Sequence, residues 1–355
     1  MGTSEDDIDR LLGKLTPRAR ALLLSGATTW RTRAEPAVAL RELVMSDGPA
    51  GVRGQAWDER STSVLLPSAT ALAATWDEDL VEDLGGLLAA EARRKGVHVL
   101  LAPTLNLHRS PLGGRHFECF SEDPELTGRI GAAFIRGVQA QGVAATAKHY
   151  VANDSETDRL TVDVRVGERA LREVYLAPFE AAVAAGVALV MAGYNAVNGT
   201  TMTANGLLTD PLKSEWGFDG VVVSDWGAVR ETVATACAGL DLAMPGPDGP
   251  WGEALARAVA DGRVPEAAVD DKARRLLRLA ARCGALGEER PPAPAPVRTR
   301  RARALARRAV AAGAVLLANR DVLPLDADRL GTVAVIGAHA ARTRTQGGGS
   351  AGVFP

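Results

Sequence analysis

Six apolar runs that end in polar or charged side chains constrain the fold of this chain most strongly. The clearest run, residues 221–223, is three valines, followed by Ser224, Asp225 and Trp226. The others are residues 43–46, 97–101, 143–147, 187–191 and 240–243. Continuous β-branched runs are typical of parallel strands that are buried on both faces. Because the carboxyl ends of such strands meet at one face, the pattern predicts an enzyme site on a ring of parallel strands.

Helical patterns alternate with these runs. They cover residues 79–95, 124–141, 168–185, 207–216 and 228–238. Gly96, Gly142 and Gly186 each follow a helical pattern, where C-terminal caps are common. The alternation predicts a (β/α)8-type, TIM-like barrel over residues 1–287. The runs are uneven in length, so we expect the barrel to be irregular.

The composition changes after the predicted barrel. Residues 291–296 read Pro-Pro-Ala-Pro-Ala-Pro, which forms neither a regular helix nor a central strand. We therefore predict an extended linker over residues 288–298. An Arg/Ala-rich helix is predicted over 299–318 and a strand over 332–337. Since one strand cannot bury a core of its own, residues 299–355 are interpreted as the start of an incomplete α/β sandwich domain.

Charge and residue usage exclude several classes of function. A formal net charge of -2 gives no electrostatic case for binding nucleic acid or an anionic membrane. No apolar stretch reaches the ~20 residues of a membrane span, and the acidic N-terminus lacks signal-peptide features, so we expect a cytoplasmic protein. Cys119, Cys237 and Cys283 are too scattered for a disulfide framework, and the histidines lack ligand spacing. We predict neither a metal nor a cofactor. A nucleotide site after residues 332–337 is not favoured, because no Gly-x-Gly-x-x-Gly follows.

Several segments, taken in chain order, resemble glycoside hydrolase family 3, the β-glucosidase family. They are residues 46–53 (Ser-Asp-Gly-Pro-Ala-Gly-Val-Arg), 106–115 (ending Pro-Leu-Gly-Gly-Arg), 117–124, 148–150 (Lys-His-Tyr), 193–195, 224–226 (Ser-Asp-Trp) and 348–351. The ordered set covers most of the chain and is far more specific than any one piece. The form of residues 111–115 resembles the branch of β-glucosidases that carries a further inserted domain.

The resemblance implies a catalytic role for Asp225, as the nucleophile of a retaining, exo-acting β-glycosidase. β-Glucosidase is the preferred activity, with hydrolysis of terminal non-reducing β-D-glycosyl residues through a covalent glycosyl-enzyme. A carboxylate suits this role because it stabilises an oxocarbenium-like transition state and bonds to the anomeric carbon. Since Asp225 must be ionised, we expect Lys148 or Arg115 to lower its pKa. The alternative is that Asp225 only caps the following helix.

The resemblance also implies which residues contact the sugar. The substrate-binding set is Asp47, Arg109, Arg115, Lys148, His149, Tyr194 and Trp226. Asp47 can accept hydrogen bonds from two neighbouring hydroxyls, and aromatic faces pack on sugar C–H groups. The alternatives are a turn role for Asp47 and a core role for Tyr194. A further set is expected to brace the loops or pack beneath the site: Glu118, Asn153, Glu156, Arg159 and Met191.

The resemblance assigns no second catalytic carboxyl group to the residues of this chain. Retaining hydrolysis requires two carboxyl groups about 5 Å apart, one of them acting as acid and then base. The resemblance implies that this group is a Glu far downstream, and residues 150–156 lack the Pro-Gly-His-Gly loop that replaces it in another branch. We therefore expect a truncated chain that is severely impaired on alkyl glycosides.

Several alternatives stay open. The expected ligand is a small-molecule β-glycoside or an oligosaccharide, and a complementary C-terminal chain or a homo-oligomer is the expected assembly. One alternative is a non-catalytic, sugar-binding remnant of such an enzyme. Another is a specificity of the β-xylosidase type, which shares much of the same pattern.

Overall fold

Five buried parallel strands form the centre of the protein, a computed structural model of which describes residues 4–287 and 300–355. The strands in these residues are β1 Met45–Asp47, β2 Val99–Leu101, β3 Ala144–Tyr150, β4 Asp163–Val164, β5 Leu189–Ala192, β6 Ala196–Val197, β7 Thr200–Thr201 and β8 Val221–Ser224. The central sheet has the order β1-β2-β3-β5-β8, with every pair parallel. All residues of these five strands are buried, which explains why their sequences are apolar without alternation.

The sixth predicted run, residues 240–243, pairs through single bridges and is not an extended strand. The bridges lead from β8 round to the segment before β1: Val223 with Leu242, Ser25 with Ala243, Gly26 with Thr32, and Arg31 with Val44. The first two are parallel and the last two antiparallel. Short, partly antiparallel pairings thus connect β8 to the segment before β1. The predicted irregular barrel is confirmed.

Helices cover the outside of this sheet. In the described residues they are α1 Glu5–Leu12, α2 Pro17–Leu23, α3 Ala69–Ala73, α4 Glu78–Arg94, α5 Pro124–Gln139, α6 Glu168–Ala170, α7 Ala177–Ala184, α8 Val233–Cys237, α9 Glu253–Ala260, α10 Glu266–Arg282 and α11 Arg300–Gly313. A π-helical turn, Leu171–Leu176, joins α6 to α7. The side chain of Asp77 caps α4, and that of Asp123 caps α5. Gly96, Gly142 and Gly186 have φ between 67° and 76°, the left-handed conformation predicted at helix ends.

Two predicted helices are shorter than expected. Residues 207–216 form the 3₁₀ turn Gly206–Leu208 and further turns, because Pro211 lacks an amide N–H for a regular helix. The pattern over residues 228–238 gives only α8. The amide of Ala228 instead donates to the carbonyl of Asp225 at 3.0 Å, closing a turn after β8.

The C-terminal residues lie against the barrel. Helix α11 buries Ala309, and Arg308 on the same helix pairs with Asp77 at 2.6 Å. The helix ends at Gly313, before the predicted residue 318. Residues 332–337 form no strand with any described residue, and Ile336 is exposed. The predicted linker, 288–298, lies outside the described residues, and the domain boundaries stay a prediction.

The last residues, 344–354, fold back onto the barrel loops and are called the terminal segment below. The carbonyl of Phe354 accepts a hydrogen bond from the amide of Ser63 at 2.7 Å. The rings of Trp57 and Phe354 meet edge to face, with centroids 5.5 Å apart. The described helices include none with the length and apolar character needed to cross a bilayer.

Candidate active site

A cavity of about 200 Å³ lies at the carboxyl ends of the central strands. Asp47 is the last residue of β1, Lys148 and His149 lie near the end of β3, and Asp225 directly follows β8. The parallel sheet therefore brings together side chains that are far apart in sequence. The cavity is lined by Trp30, Asp47, Arg53, Arg115, Lys148, His149, Arg159, Met191, Tyr194, Asp225, Trp226 and Ser350.

Asp225 presents one carboxylate oxygen without a hydrogen-bond partner. Its Oδ1 accepts the amide N–H of Trp226 at 2.7 Å, and its own amide donates to Ala192 at 3.0 Å. Its buried Oδ2 has no hydrogen-bond donor among the described residues. The helix-cap alternative does not hold, because the next helix begins only at Val233.

Burial decides the acidity of Asp225. Desolvation raises the pKa of this carboxyl above its ordinary value. Lys148, the Trp226 amide and Arg115 act to lower the pKa, but burial outweighs them. Lys148 and Arg115 therefore act on the pKa in the expected direction, but the net shift is upward. The cations reduce the cost of burying the ionised carboxylate without removing it.

His149 is held in one orientation and one tautomer by Asn106. The Asn106 Nδ2 donates to the carbonyl of His149 at 3.0 Å, and its Oδ1 accepts the His149 amide at 2.8 Å. The same Oδ1 lies 2.9 Å from His149 Nδ1, so that Nδ1 must carry the proton. Nε2 then accepts from Arg115 Nη2 at 3.2 Å. Burial, Arg115 and Lys148 lower the pKa of His149 well below 6.5, so the ring is neutral.

Arginine–carboxylate pairs brace one side of the cavity. Arg115 donates to both oxygens of Glu118, at 2.8 and 3.1 Å, and Glu118 is buried. Glu156 lies 3.9 Å from Arg115 and pairs with Arg159 at 3.2 Å. These bidentate and bridging contacts fix the guanidinium groups that line the cavity. Glu118 and Glu156 thus contact arginines of the cavity wall, and their role as braces stays a prediction.

Asp47 and Lys148 form a buried pair on β1 and β3, the two strands that flank β2. Lys148 Nζ lies 3.3 Å from Asp47 Oδ1. Both residues are less than a tenth exposed. Such a pair offers a ligand both a hydrogen-bond donor and an acceptor at little net charge.

Aromatic rings form the remaining wall. Trp226 packs on Trp30 with ring centroids 5.2 Å apart. The indole N–H of Trp226 donates to the carbonyl of Thr29 at 2.7 Å, and the hydroxyl of Tyr194 donates to the carbonyl of Trp226 at 2.9 Å. The rings are thus fixed by hydrogen bonds at their polar ends and present apolar faces to the cavity.

Four predicted residues do not line the cavity: Arg109, Glu118, Asn153 and Glu156. Arg109, expected among the sugar contacts, is exposed on the loop before the 3₁₀ turn His116–Glu118, and its guanidinium packs on the ring of Tyr175 at 5.4 Å. Asn153 is buried beside the cavity but does not line it. Met191 is buried and lines the cavity floor from β5.

Three residues that line the cavity were not predicted. Arg53 and Ser350 lie within segments that carry the family resemblance, which was the available signal. Trp30 lies in a loop and has no local signal, because its place depends on the distant Trp226. In the described parts of the chain, no three His, Cys, Asp or Glu side chains are grouped to hold a metal ion.

Comparisons with known proteins place this chain in a family. Residues 31–279 match the family described as the glycosyl hydrolase family 3 N terminal domain. A β-glucosidase from Rhizobium radiobacter is 49% identical over 347 residues, covering 97% of this chain and 42% of the relative. β-Glucosidase B from Emericella nidulans is 45% identical, covering 98% of this chain and 42% of that protein.

Solved structures give the same result. β-Glucosidase 3B from Thermotoga neapolitana, in complex with α-D-glucose, matches 98% of this chain and 52% of its own, with a TM-score of 0.88 and 35% identity. A β-glucosidase from Kluyveromyces marxianus matches 91% of this chain and 41% of its own, with a TM-score of 0.85 and 37% identity. The chain spans about half, or less, of the length of these proteins. It belongs to glycosyl hydrolase family 3, and residues 31–279 form the N-terminal domain of that family.

Proposed function

We propose that this chain carries the nucleophile and sugar site of a retaining, exo-acting β-glucosidase. The substrate is a small-molecule β-glycoside or an oligosaccharide with a terminal non-reducing β-D-glucosyl residue. The observation that carries the proposal is the unpartnered Oδ2 of Asp225 in a cavity where the other polar groups are largely braced. Buried polar atoms are normally hydrogen-bonded, so an unpartnered carboxylate oxygen is available for a ligand.

Asp225 acts as the nucleophile in two balanced steps. Its Oδ2 bonds to the anomeric carbon while the bond to the leaving oxygen breaks, and that oxygen takes a proton from an acid. Water then attacks the same carbon, gives up a proton to the conjugate base, and releases the Asp225 carboxylate. Each step inverts the anomeric centre, so the released sugar keeps the β configuration.

The remaining cavity residues hold the sugar. Asp47 and Lys148 provide an acceptor and a donor for neighbouring hydroxyls, and His149, whose Nε2 accepts from Arg115, forms part of the wall beside them. Trp226 offers its face to the C–H groups of the ring. Each of these side chains already has a fixed partner, so binding costs little side-chain entropy.

The acid that protonates the leaving oxygen comes from outside the described residues. In the parts of the chain that the structure describes, Asp47 is the only carboxyl besides Asp225 that lines the cavity, and it pairs with Lys148. Glu118 and Glu156 are held by arginines. The predicted source is a Glu far downstream in the family, which a complementary C-terminal chain would supply.

The same observation favours a second candidate, a sugar-binding protein without turnover. Leaving-group dependence separates the two. An enzyme without its general acid loses roughly 10²–10⁴ in rate on poor leaving groups but keeps slow turnover of activated aryl glycosides. A binding remnant turns over neither.

The test compares nitrophenyl β-glucoside with cellobiose on the purified chain, following the sugar by proton NMR. We expect slow release of β-glucose from the aryl glycoside only, abolished by Asp225→Asn and kept by the exposed control Asp219→Asn. Initial release of α-glucose would contradict retention. Comparable turnover of cellobiose would show that the acid is present. Nitrophenyl β-xyloside, run in parallel, tests the β-xylosidase alternative.

A further inference from the structure

Arg53 differs from the other cations that line the cavity, because no carboxylate holds it. Arg115 pairs with Glu118, Arg159 with Glu156 and Lys148 with Asp47. The Arg53 side chain makes no hydrogen bond or ion pair with any residue in 4–287 or 300–355, and its Nε is buried. Its donors are therefore available to a ligand in the cavity.

The Arg53 guanidinium contacts two indole rings, whereas the other cations of the cavity contact a carboxylate. The guanidinium carbon of Arg53 lies 5.5 Å from the ring centroid of Trp30 and 4.8 Å from that of Trp57. Both distances are within the range of cation–π attraction. The guanidinium is thus held by two π faces, and its N–H groups make no hydrogen bond with any described residue.

Trp30 is held by a contact in the cavity, whereas Trp57 is held by a contact outside it. Trp30 lines the cavity and packs on Trp226. Trp57 does not line the cavity, is 51% exposed, and meets the ring of Phe354 in the terminal segment. Trp57 is therefore the member of the pair that can be changed without altering the cavity wall.

We infer that Trp57 is a positioning residue, which holds the Arg53 guanidinium so that its N–H groups face a sugar hydroxyl. The inference rests on the proposed function for the identity of the ligand. The terminal segment supports the sugar site through the same ring, because Phe354 packs against Trp57. A guanidinium held by π faces keeps all of its hydrogen-bond donors, which a carboxylate partner would occupy.

The test uses two substitutions of similar bulk. Trp57→Phe keeps a π face, whereas Trp57→Leu keeps apolar volume without one. Trp76→Ala, which removes an indole that is 74% exposed outside the cavity, is the control. The first readout is the rate at which phenylglyoxal modifies Arg53, measured by peptide mass spectrometry against the exposed Arg169. The second is the dissociation constant for glucose by calorimetry.

We expect Trp57→Leu to raise the relative modification rate of Arg53 and to weaken glucose binding by roughly 2–30-fold. Trp57→Phe should stay closer to the wild type in both readouts, and Trp76→Ala should change neither. Equal behaviour of the Leu and Phe variants would overturn the inference, as would faster modification with unchanged glucose affinity. If the wild type binds no glucose, the proposed function fails, and the Arg53 modification rates still decide whether Trp57 holds the guanidinium.

Discussion

Oδ2 of Asp225 lies 3.7 Å from Nε2 of His149, and no hydrogen bond joins them. The imidazole proton is on the other nitrogen, facing Asn106, and Arg115 occupies Nε2. Two acceptors therefore face each other at the cavity. Oδ2 of Asp225 is therefore free to act as a nucleophile. A proton on Nε2 would be donated to Oδ2 in a hydrogen bond and would weaken Oδ2 as a nucleophile.

Replacing Asn106 with Ala should release the tautomer of His149. Without the Asn106 Oδ1 acceptor, the Nδ1–H tautomer of His149 is no longer stabilised by a hydrogen bond. The Nε2–H tautomer then becomes favourable, because Nε2 lies beside the Asp225 carboxylate. Long-range proton–nitrogen NMR correlation of the imidazole should show Nδ1–H in the wild type and a mixture in the variant. Glucose affinity should fall by roughly 2–10-fold, because the imidazole on the cavity wall loses its fixed orientation. Detection of Nε2–H in the wild type would contradict the assignment.

Asp225→Asn should stabilise the protein at neutral pH. Burial raises the pKa of Asp225, so the stability linked to this group is full below the unfolded value near 3.8 and is lost as pH rises through the folded value. At pH 7 the wild type thus bears the cost of a buried charge that Asn lacks. Thermal melts from pH 3 to pH 8 should show a Tm gain on the order of 2 °C at pH 7 that fades at low pH. A variant less stable than the wild type at pH 7 would refute this.

Glu118→Gln should have the opposite effect. Burial alone would raise the pKa of Glu118, but hydrogen bonds and charge from Arg115 lower it. Stability from this group is therefore present above the unfolded value, 4.5, and is lost as pH falls through the folded value. Urea unfolding at pH 7 should show a loss of about 1–3 kcal/mol, which shrinks below pH 4. The exposed Glu122→Gln is the control and should be neutral; an equal loss there would remove the basis for the claim.

Gly137→Ala should disrupt the packing of α4 on α5. A Cβ at Gly137 would lie within 2.0 Å of the Glu82 carbonyl oxygen, a backbone atom that cannot step aside. The expected loss in free energy of unfolding is about 1–3 kcal/mol. Gly86→Ala is the matched control on α4, since its Cβ would meet Gly137 O at an ordinary 3.7 Å and alanine favours helices. Denaturant unfolding should separate the two, and similar stabilities would contradict the close approach.

Local signals explain which parts of the fold could be predicted. The runs that become β1, β2, β3, β5 and β8 are apolar because both faces of each strand are buried, and their own residues show it. Residues 240–243 look the same, yet their pairing depends on Ser25, more than 200 residues earlier, and gives only single bridges. The helix predicted over residues 207–216 does not form, because the effect of Pro211 on the backbone outweighs the helical periodicity of the sequence.

The candidate site was predictable where strand ends carry its residues. Asp47, Lys148, His149 and Asp225 each follow or end a buried run, so their meeting follows from parallel pairing. Trp30 lies at the cavity because its ring packs on the distant Trp226. No regular spacing in the sequence indicates such a contact. The net direction of the Asp225 pKa could not be predicted from its neighbouring cations, because desolvation depends on everything that packs around a carboxyl.

The most direct test of the nucleophile is trapping with 2-deoxy-2-fluoro-β-glucosyl fluoride. Its fluoride leaves without protonation by an acid, and its 2-fluoro group slows release of the covalent intermediate. Mass spectrometry of the digested protein should place a single fluoroglucosyl group on Asp225, with none on the Asp225→Asn variant. A label on any other residue, or turnover of nitrophenyl glucoside with no label at Asp225, would contradict the central claim.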